Sequence, residues 1–217
     1  MKALLLRLWY FVACWATWAF MAWRGYKVKS WVYRRLWERK YLKSEIVTFP
    51  SLEALAEFTK YGSLWKGDSW RAGFDAVSTP GRVQAIFAGA EPAPTEDLDC
   101  DDHAIFVVAA SNRSLDEGLL NAEGVMRPRF FTVTWMRTDT WVPTGHNVCL
   151  FEVPQGPERF PKWCYMDYGA PSAHVESIHD VARAVMLRYA NGPAKLIVWC
   201  TQKEDLTPQL THRGDEA

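Results

Sequence analysis

This sequence of 217 residues lacks any closely spaced pair of cysteines: it has five, and no two of them form a Cys-x-x-Cys pair. An odd number of widely spaced cysteines indicates neither a disulfide framework nor a zinc ribbon, and it fits a reducing compartment best. The chain also has no glycine-rich phosphate loop, no dinucleotide fingerprint and no His-x-x-x-His spacing. These absences argue against nucleotide chemistry and against a catalytic metal, so we expect neither a cofactor nor a metal ion.

The charge of the chain is unevenly distributed, although the net charge is zero. Residues 1–43 carry ten Lys and Arg against one Glu, a net charge of +9. The remainder carries 15 basic and 24 acidic residues, a net charge of −9. A basic head on an acidic body suggests that the head contacts something anionic, such as a membrane surface, and no specific nucleic acid is predicted.

Residues 3–23 form a tryptophan-rich apolar run whose one charge is Arg7. Twenty-one such residues are enough to span a bilayer, and the eight basic residues in 24–43 predict a membrane-anchored protein with its body on the cytoplasmic side. Two alternatives stay open: a helix lying in the interface, and a helix that docks onto a partner in a large assembly such as a virion. A helix belonging to the core is a third, weaker alternative.

The order of predicted elements indicates an α+β fold with an antiparallel sheet, because helices come first and strands follow with one late helix. We divide the chain into an anchor (1–43), a catalytic domain (44–201) and a polar, irregular tail (202–217). Periodicity and capping residues predict the following elements: a short strand at 45–49, helices from Ser51 to Gly62, from Ser78 to Gly89 and from Cys100 onward, strands at 130–136, 146–153 and 163–168, a helix at 175–190, and a strand at 196–200.

Cys100 stands between an acidic, proline-rich stretch and the apolar run 104–110, which places it in the first turn of a buried helix. Unpaired N–H groups and the helix dipole lower the pKa of a thiol at that position, and the thiolate is the reactive form. The acidic neighbours Asp99, Asp101 and Asp102 act in the opposite direction. A reactive Cys100 would therefore need a cationic partner, for which histidine is the natural candidate.

Of the five histidines, His146 is best placed to be that partner, because it opens a predicted strand directly after a glycine-containing loop. His103 lies on the same helix as Cys100, so its side chain should point along that helix. The remaining three are His174 and His179 near the late helix, and His212 in the tail. Asp167, an isolated carboxylate in an aromatic strand, would be costly to bury unless it bonds an imidazole, whose tautomer it would then fix.

Three segments together resemble the transglutaminase-like cysteine peptidases, a branch of the papain-like superfamily. They are Asp-Cys-Asp-Asp-His-Ala at 99–104, Gly-His-Asn-Val-Cys-Leu at 145–150 and Tyr-Met-Asp-Tyr-Gly at 165–169. The resemblance covers roughly residues 68–170. It implies a papain-like core, with the nucleophile helix on an antiparallel sheet, and assigns Cys100 as nucleophile, His146 as base and acid, and Asp167 as the orienting residue.

The resemblance also implies an activity: a cysteine peptidase or amidase that acts on peptide or protein amides through a thioester. Such compact members are frequent in bacteria and their viruses. The family glycine before Asp-Cys is replaced here by Leu98. For the second oxyanion donor, Gln84 and Trp70 are candidates. An amine-accepting transglutaminase and a non-catalytic structural or assembly protein are the alternatives, and a metal held by the acidic residues around Cys100 is a weaker one.

Overall fold

The computed structural model describes residues 45–60, 80–89, 99–120, 126–141, 143–154, 162–169, 171–202 and 208–213, with six helical positions between 8 and 19. Most of the expected anchor, including its basic part 24–43, therefore lies outside the described residues. In the described part of the chain, no helix is long and apolar enough to cross a membrane.

From residue 45 onward, the described part of the chain contains four helices and five strands; they follow the predicted order except that the strand expected at 45–49 is absent and one strand is added at the end. The helices are α1 (Leu52–Thr59), α2 (Pro80–Phe87), α3 (Cys100–Asp116) and α4 (Ile178–Tyr189), and the strands are β1 (Met126–Arg137), β2 (Pro143–Val153), β3 (Lys162–Met166), β4 (Ala194–Gln202) and β5 (Pro208–Arg213). The strands form one antiparallel sheet in the order β3-β2-β1-β4-β5, which confirms the predicted α+β class.

The two faces of the sheet bury two separate apolar clusters. One face packs beneath α1, α2 and α3, where Phe130, Cys149 and Phe151 meet buried residues such as Phe106. The opposite face packs beneath α4, where Val133 and Val148 are among the residues that meet the helix. Because strand side chains alternate, neighbouring residues of β1 and β2 supply different clusters.

Two predictions of local structure are wrong, and in both cases backbone hydrogen bonds explain the outcome. Residues 45–49 do not form a strand, because side chains from elsewhere accept their N–H groups: Gln84 Oε1 takes that of Val47 (2.7 Å), and Ser114 Oγ takes that of Phe49 (2.9 Å). The tail expected to be irregular contains β5, which pairs with β4. The backbone hydrogen bonds to β4 hold this edge strand in place, so a run of apolar residues is not required for it to form.

The starts of α1 and α3 are capped by side chains, and the Ser51 cap was predicted. Ser51 caps α1 through Ala54 N–H, and Asp99 caps α3 in a capping box with Asp102. Cys100 is thus the first residue inside a 17-residue helix, as its sequence context predicts. Helix α1 ends at Thr59, before the Gly62 expected to stop it.

Candidate functional site

β3 is shorter than its neighbour β2, and this difference creates the site. Its ladder runs only from Val153↔Lys162 to Cys149↔Met166, so it leaves residues 143–148 of β2 without a β3 partner. Asp167, Tyr168 and Gly169 continue from the end of β3 as a bend beside that part of β2. The segment that follows β3 therefore brings Asp167 next to His146.

The predicted contact between His146 and Asp167 is present: Nε2 of His146 lies 2.8 Å from Oδ1 of Asp167. Both side chains are buried, with 9% and 1% of their surface exposed. In this pair Nε2 carries the hydrogen that the carboxylate accepts, so Nδ1 is the ring nitrogen left with a lone pair. One detail of the prediction changes, because Asp167 lies just beyond β3 rather than within it.

Helix α4 holds the pair from the other side. The ring of Tyr189 stacks on that of His146, with centroids 3.9 Å apart, and its hydroxyl donates to Oδ2 of Asp167 (2.6 Å). Arg188 Nη1 lies 3.4 Å from the same oxygen. We refer to His146, Asp167, Arg188 and Tyr189 as the histidine cluster.

Asp167 is ionised in this cluster. Burial is the largest single effect and raises the pKa of its carboxyl. Hydrogen bonds from His146 and Tyr189, together with the charges of His146 and Arg188, lower that pKa by more in total, so the net pKa lies below its usual range. A buried carboxylate is costly unless such donors surround it. The cluster thus supplies a fixed negative charge that orients the imidazole and would stabilise it once protonated.

Cys100 contacts β2 through Asn147, the residue that follows His146. Nδ2 of Asn147 donates to Sγ of Cys100 at 3.4 Å, and Oδ1 of Asn147 accepts from Thr132 Oγ1 at 2.8 Å. Within the described residues, the thiol bonds Asn147 and makes no hydrogen bond to His146. The expected Cys100–His146 contact is therefore not made, because alternation along β2 sends Asn147 to the α3 face and His146 to the α4 face.

The pKa of the Cys100 thiol is raised well above its ordinary value. Burial is the main cause, and the charges of Asp99 and Asp101 add to it, while donation from Asn147 lowers the pKa by less. Burial and the acidic neighbours together therefore outweigh the hydrogen bonding from Asn147. The resting site holds a neutral thiol in the cysteine cluster, which we define as Asp99, Cys100, Asp101 and Asn147.

Tyr168 connects the two clusters. Its ring contacts His146 (centroids 5.8 Å apart) and also His103, which lies one turn beyond Cys100 (4.8 Å). Burial is the largest cause that raises the pKa of Tyr168, and its interaction with Cys100 is the next largest. Its φ of 54° is unusual for a residue with a side chain, and such strain is often retained at functional sites.

The other sequence candidates occupy different places. Gln84 uses its amide to bind Val47 N–H and Glu45 C=O, so it is engaged in holding residues 45–47 rather than a substrate. Trp70 and Leu98 lie outside the described residues. Ligand atoms of Asp99, Cys100 and Asp101 lie within 4.8 Å of one another, yet Asp99 already accepts the N–H groups that cap α3.

Four further residues of the site were not predicted: Asn147, Tyr168, Arg188 and Tyr189. The sequence predicts that side chains alternate along β2, but it does not predict which face of the sheet α3 packs on. Comparison with family models, with curated proteins and with solved structures finds no match to this chain.

Proposed function

We propose that this protein is a cysteine hydrolase of the transglutaminase-like type, with a papain-like core, which cleaves an amide bond through a thioester intermediate. Cys100 is the nucleophile, His146 the base and acid, and Asp167 the residue that orients His146. One observation carries the proposal: a buried imidazole is fixed by an ionised carboxylate at Nε2, one residue from the side chain that bonds a thiol at a helix N-terminus.

The proposed reaction moves one proton through His146. Sγ of Cys100 bonds to the amide carbon, the C=O electron pair moves to oxygen, and the thiol proton passes to Nδ1 of His146. The C=O bond then re-forms as the C–N bond breaks, and the amine leaves with that proton. Water next attacks the thioester while His146 takes its proton, and the acid leaves as the thiol is regenerated.

The raised pKa of Cys100 decides how this reaction begins. The proton leaves the thiol as the sulfur attacks, because no thiolate is stored in the resting site. Within the described residues no hydrogen bond joins the His146 ring to the sulfur, so this contact has to form in the complex with substrate. Catalytic hydrogen bonds are often long or absent without substrate and form only in the complex.

The proposal is tested with p-nitrophenyl acetate, a small ester that needs no extended binding site. Wild-type protein should acetylate at Cys100, detected by mass spectrometry of the peptide, and should release acetate as the thioester turns over. Cys100→Ala should show neither event, and His146→Gln should slow acylation by roughly 10²–10⁴-fold. Equal acylation of wild type and His146→Gln would contradict the assignment of His146. Glycinamide added to the assay distinguishes a transglutaminase, which would form its acetyl amide.

A second candidate is a non-catalytic structural or assembly protein that keeps the fold. The observation favouring it is the contact of Cys100 with Asn147 instead of His146, together with the raised thiol pKa. This candidate predicts that Cys100 alkylates slowly and never acylates. Acetylation of Cys100 that depends on His146 would exclude it.

The first 43 residues support a proposal about location: attachment to a membrane, with the body on the cytoplasmic side, or to a virion-like assembly. Leu8, Trp9, Val12 and Trp15 are helical and between 43% and 59% exposed. Their spacing puts them along one side of a helix. The substrate proposed for the body is a peptide or protein amide.

A further inference from the structure

The amide of Asn147 is held in one orientation by bonds at both of its ends. Thr132 on β1 lies directly across the ladder from Asn147, and its hydroxyl donates to Oδ1 at 2.8 Å. This contact turns Nδ2 toward α3, where it donates to Cys100 Sγ at 3.4 Å. The carboxamide is therefore a fixed donor aimed at the sulfur, and Nδ2 has a second hydrogen for another acceptor.

The main chain of Cys100 provides a second donor at the same place. The first N–H groups of a helix have no acceptor within the helix. Here the Asp99 carboxylate accepts those of Asp101 (3.0 Å) and Asp102, the second and third helical residues. The N–H of Cys100, the first helical residue, is not among those that this cap accepts. This N–H therefore lies in the same residue as the sulfur that would bond the carbonyl carbon.

We propose that the side-chain amide of Asn147 and the main-chain N–H of Cys100 form the oxyanion hole of this site, an inference that rests on the proposed function. When sulfur bonds to a carbonyl carbon, the oxygen of that carbonyl takes the electron pair and lies next to the sulfur. A donor already 3.4 Å from Sγ can then reach the oxygen at the distance of about 3 Å that stabilises an oxyanion. Fixed donors of this kind require no reorganisation during the reaction.

Strand geometry gives the consecutive residues His146 and Asn147 different surroundings. His146 faces the α4 side, where Asp167 and Tyr189 hold it, and Asn147 faces the nucleophile. The proton carrier and the oxyanion donor are thereby fixed relative to each other by a single peptide unit. Gln84, the other amide considered for this role, binds residues 45–47 instead.

Two reactions of Cys100 separate an oxyanion donor from a residue that merely contacts the thiol. Acylation by p-nitrophenyl acetate passes through an oxyanion, whereas alkylation by iodoacetamide displaces iodide and forms none. The measured quantity is the ratio of the two second-order rate constants at one pH, with the modified Cys100 peptide quantified by mass spectrometry. Any change in thiolate content affects both reactions, so the ratio reports the oxyanion.

Asn147→Ala should lower the ratio by roughly 10²-fold or more, the usual effect of losing one oxyanion donor. Thr132→Val leaves the amide present but removes the bond that orients it, so a smaller decrease of several-fold is expected. Thr140→Val, at an exposed position in the β1–β2 turn, is the matched control and should leave the ratio unchanged.

An unchanged ratio in Asn147→Ala overturns the oxyanion assignment, even though Cys100 still acylates in the wild type. If Asn147→Ala does not fold, Thr132→Val decides, and an unchanged ratio there overturns the assignment equally. Wild-type protein that alkylates at Cys100 but never acylates overturns the proposed function, and this inference with it. The two failures are therefore distinguishable.

Discussion

The hydroxyl of Tyr189 donates a 2.6 Å hydrogen bond to Oδ2 of Asp167, the oxygen that His146 does not use. One carboxylate thus joins a residue of α4 to a residue of β2, and the Tyr189 ring covers the imidazole between them. The helix on the back of the sheet is therefore part of the candidate site. Its last turn fixes the position of the proposed base.

Replacing Tyr189 by Phe tests this relationship, because the ring stays and only the donor is lost. A hydrogen bond to a charged group contributes about 1.5–3 kcal/mol, and Tyr189 is half-buried, so we expect a loss of about 1–2 kcal/mol in the free energy of unfolding at pH 7. Urea denaturation measures it. Tyr165→Phe, on the same face of the sheet, is the matched control, with a change below about 0.5 kcal/mol.

The pH dependence of that loss has a defined sign. The folded-state pKa of Asp167 is lowered, so the stability it confers is present above the unfolded pKa and disappears as pH falls through the folded value. The difference between wild type and Tyr189→Phe should therefore shrink on acidification. A difference that is the same at all pH values would mean that Tyr189 acts through packing alone.

Local signals in the sequence were sufficient for the fold class and for most elements. Ser51 predicted the start of α1, and the apolar runs after residues 129 and 145 predicted the central strands of the sheet. The errors at 45–49 and 208–213 concern edges, where pairing partners decide the structure. Those partners, Gln84, Ser114 and strand β4, are distant in the chain.

The arrangement of the site was harder to predict from the sequence, because it depends on which face of the sheet each helix packs against. Chemical reasoning about buried charge was sufficient to pair His146 with Asp167. The position of Cys100 against Asn147 follows from α3 packing on the face opposite α4, and no local pattern specifies that choice. Tyr189 looked like one more apolar residue of its helix.

His103 should make the protein sensitive to acid. Burial lowers its pKa to about 3, from an ordinary value of 6.5, so the unfolded chain binds a proton that the folded chain rejects. Stability is complete above the unfolded pKa and falls as pH drops toward the folded one. Between pH 7 and pH 4 the linkage amounts to roughly 3 kcal/mol.

The variant His103→Leu, of similar volume, removes this titration. Denaturation curves from pH 7 to pH 4 should fall less steeply for His103→Leu than for wild type, whatever its stability at pH 7. His174→Leu, at an exposed histidine, should keep the wild-type slope. Parallel curves for wild type and His103→Leu would show that the folded chain binds the His103 proton as readily as the unfolded chain does, which contradicts the lowered pKa.

Membrane attachment through the first 43 residues is tested by extraction of cell membranes that contain the full chain. A helix inserted in the bilayer should resist high salt and dissolve in detergent, since salt removes only charge-held protein. Replacing exposed Trp9 and Trp15 together by Ser should weaken attachment, while Trp141→Ser in the β1–β2 turn should not. Release by salt alone would indicate that the basic residues, and not the apolar run, hold the protein.

The charge of Asp101 should keep Cys100 unreactive at neutral pH. Burial is the largest cause of the raised thiol pKa, and the charges of Asp99 and Asp101 come next. Asp99 also caps α3, whereas Asp101 is partly exposed and accepts no capping bond, so Asp101→Asn removes charge with the cap intact. A lower thiol pKa gives more thiolate at a given pH, and the thiolate is the form that alkylates.

The rate of Cys100 alkylation by iodoacetamide should therefore rise several-fold in Asp101→Asn, and its pH profile should shift toward lower pH. Asp116→Asn, at the exposed far end of the same helix, should behave as wild type. If both variants alkylate at the wild-type rate, burial alone raises the pKa of the Cys100 thiol, and the charge of Asp101 has no effect on it.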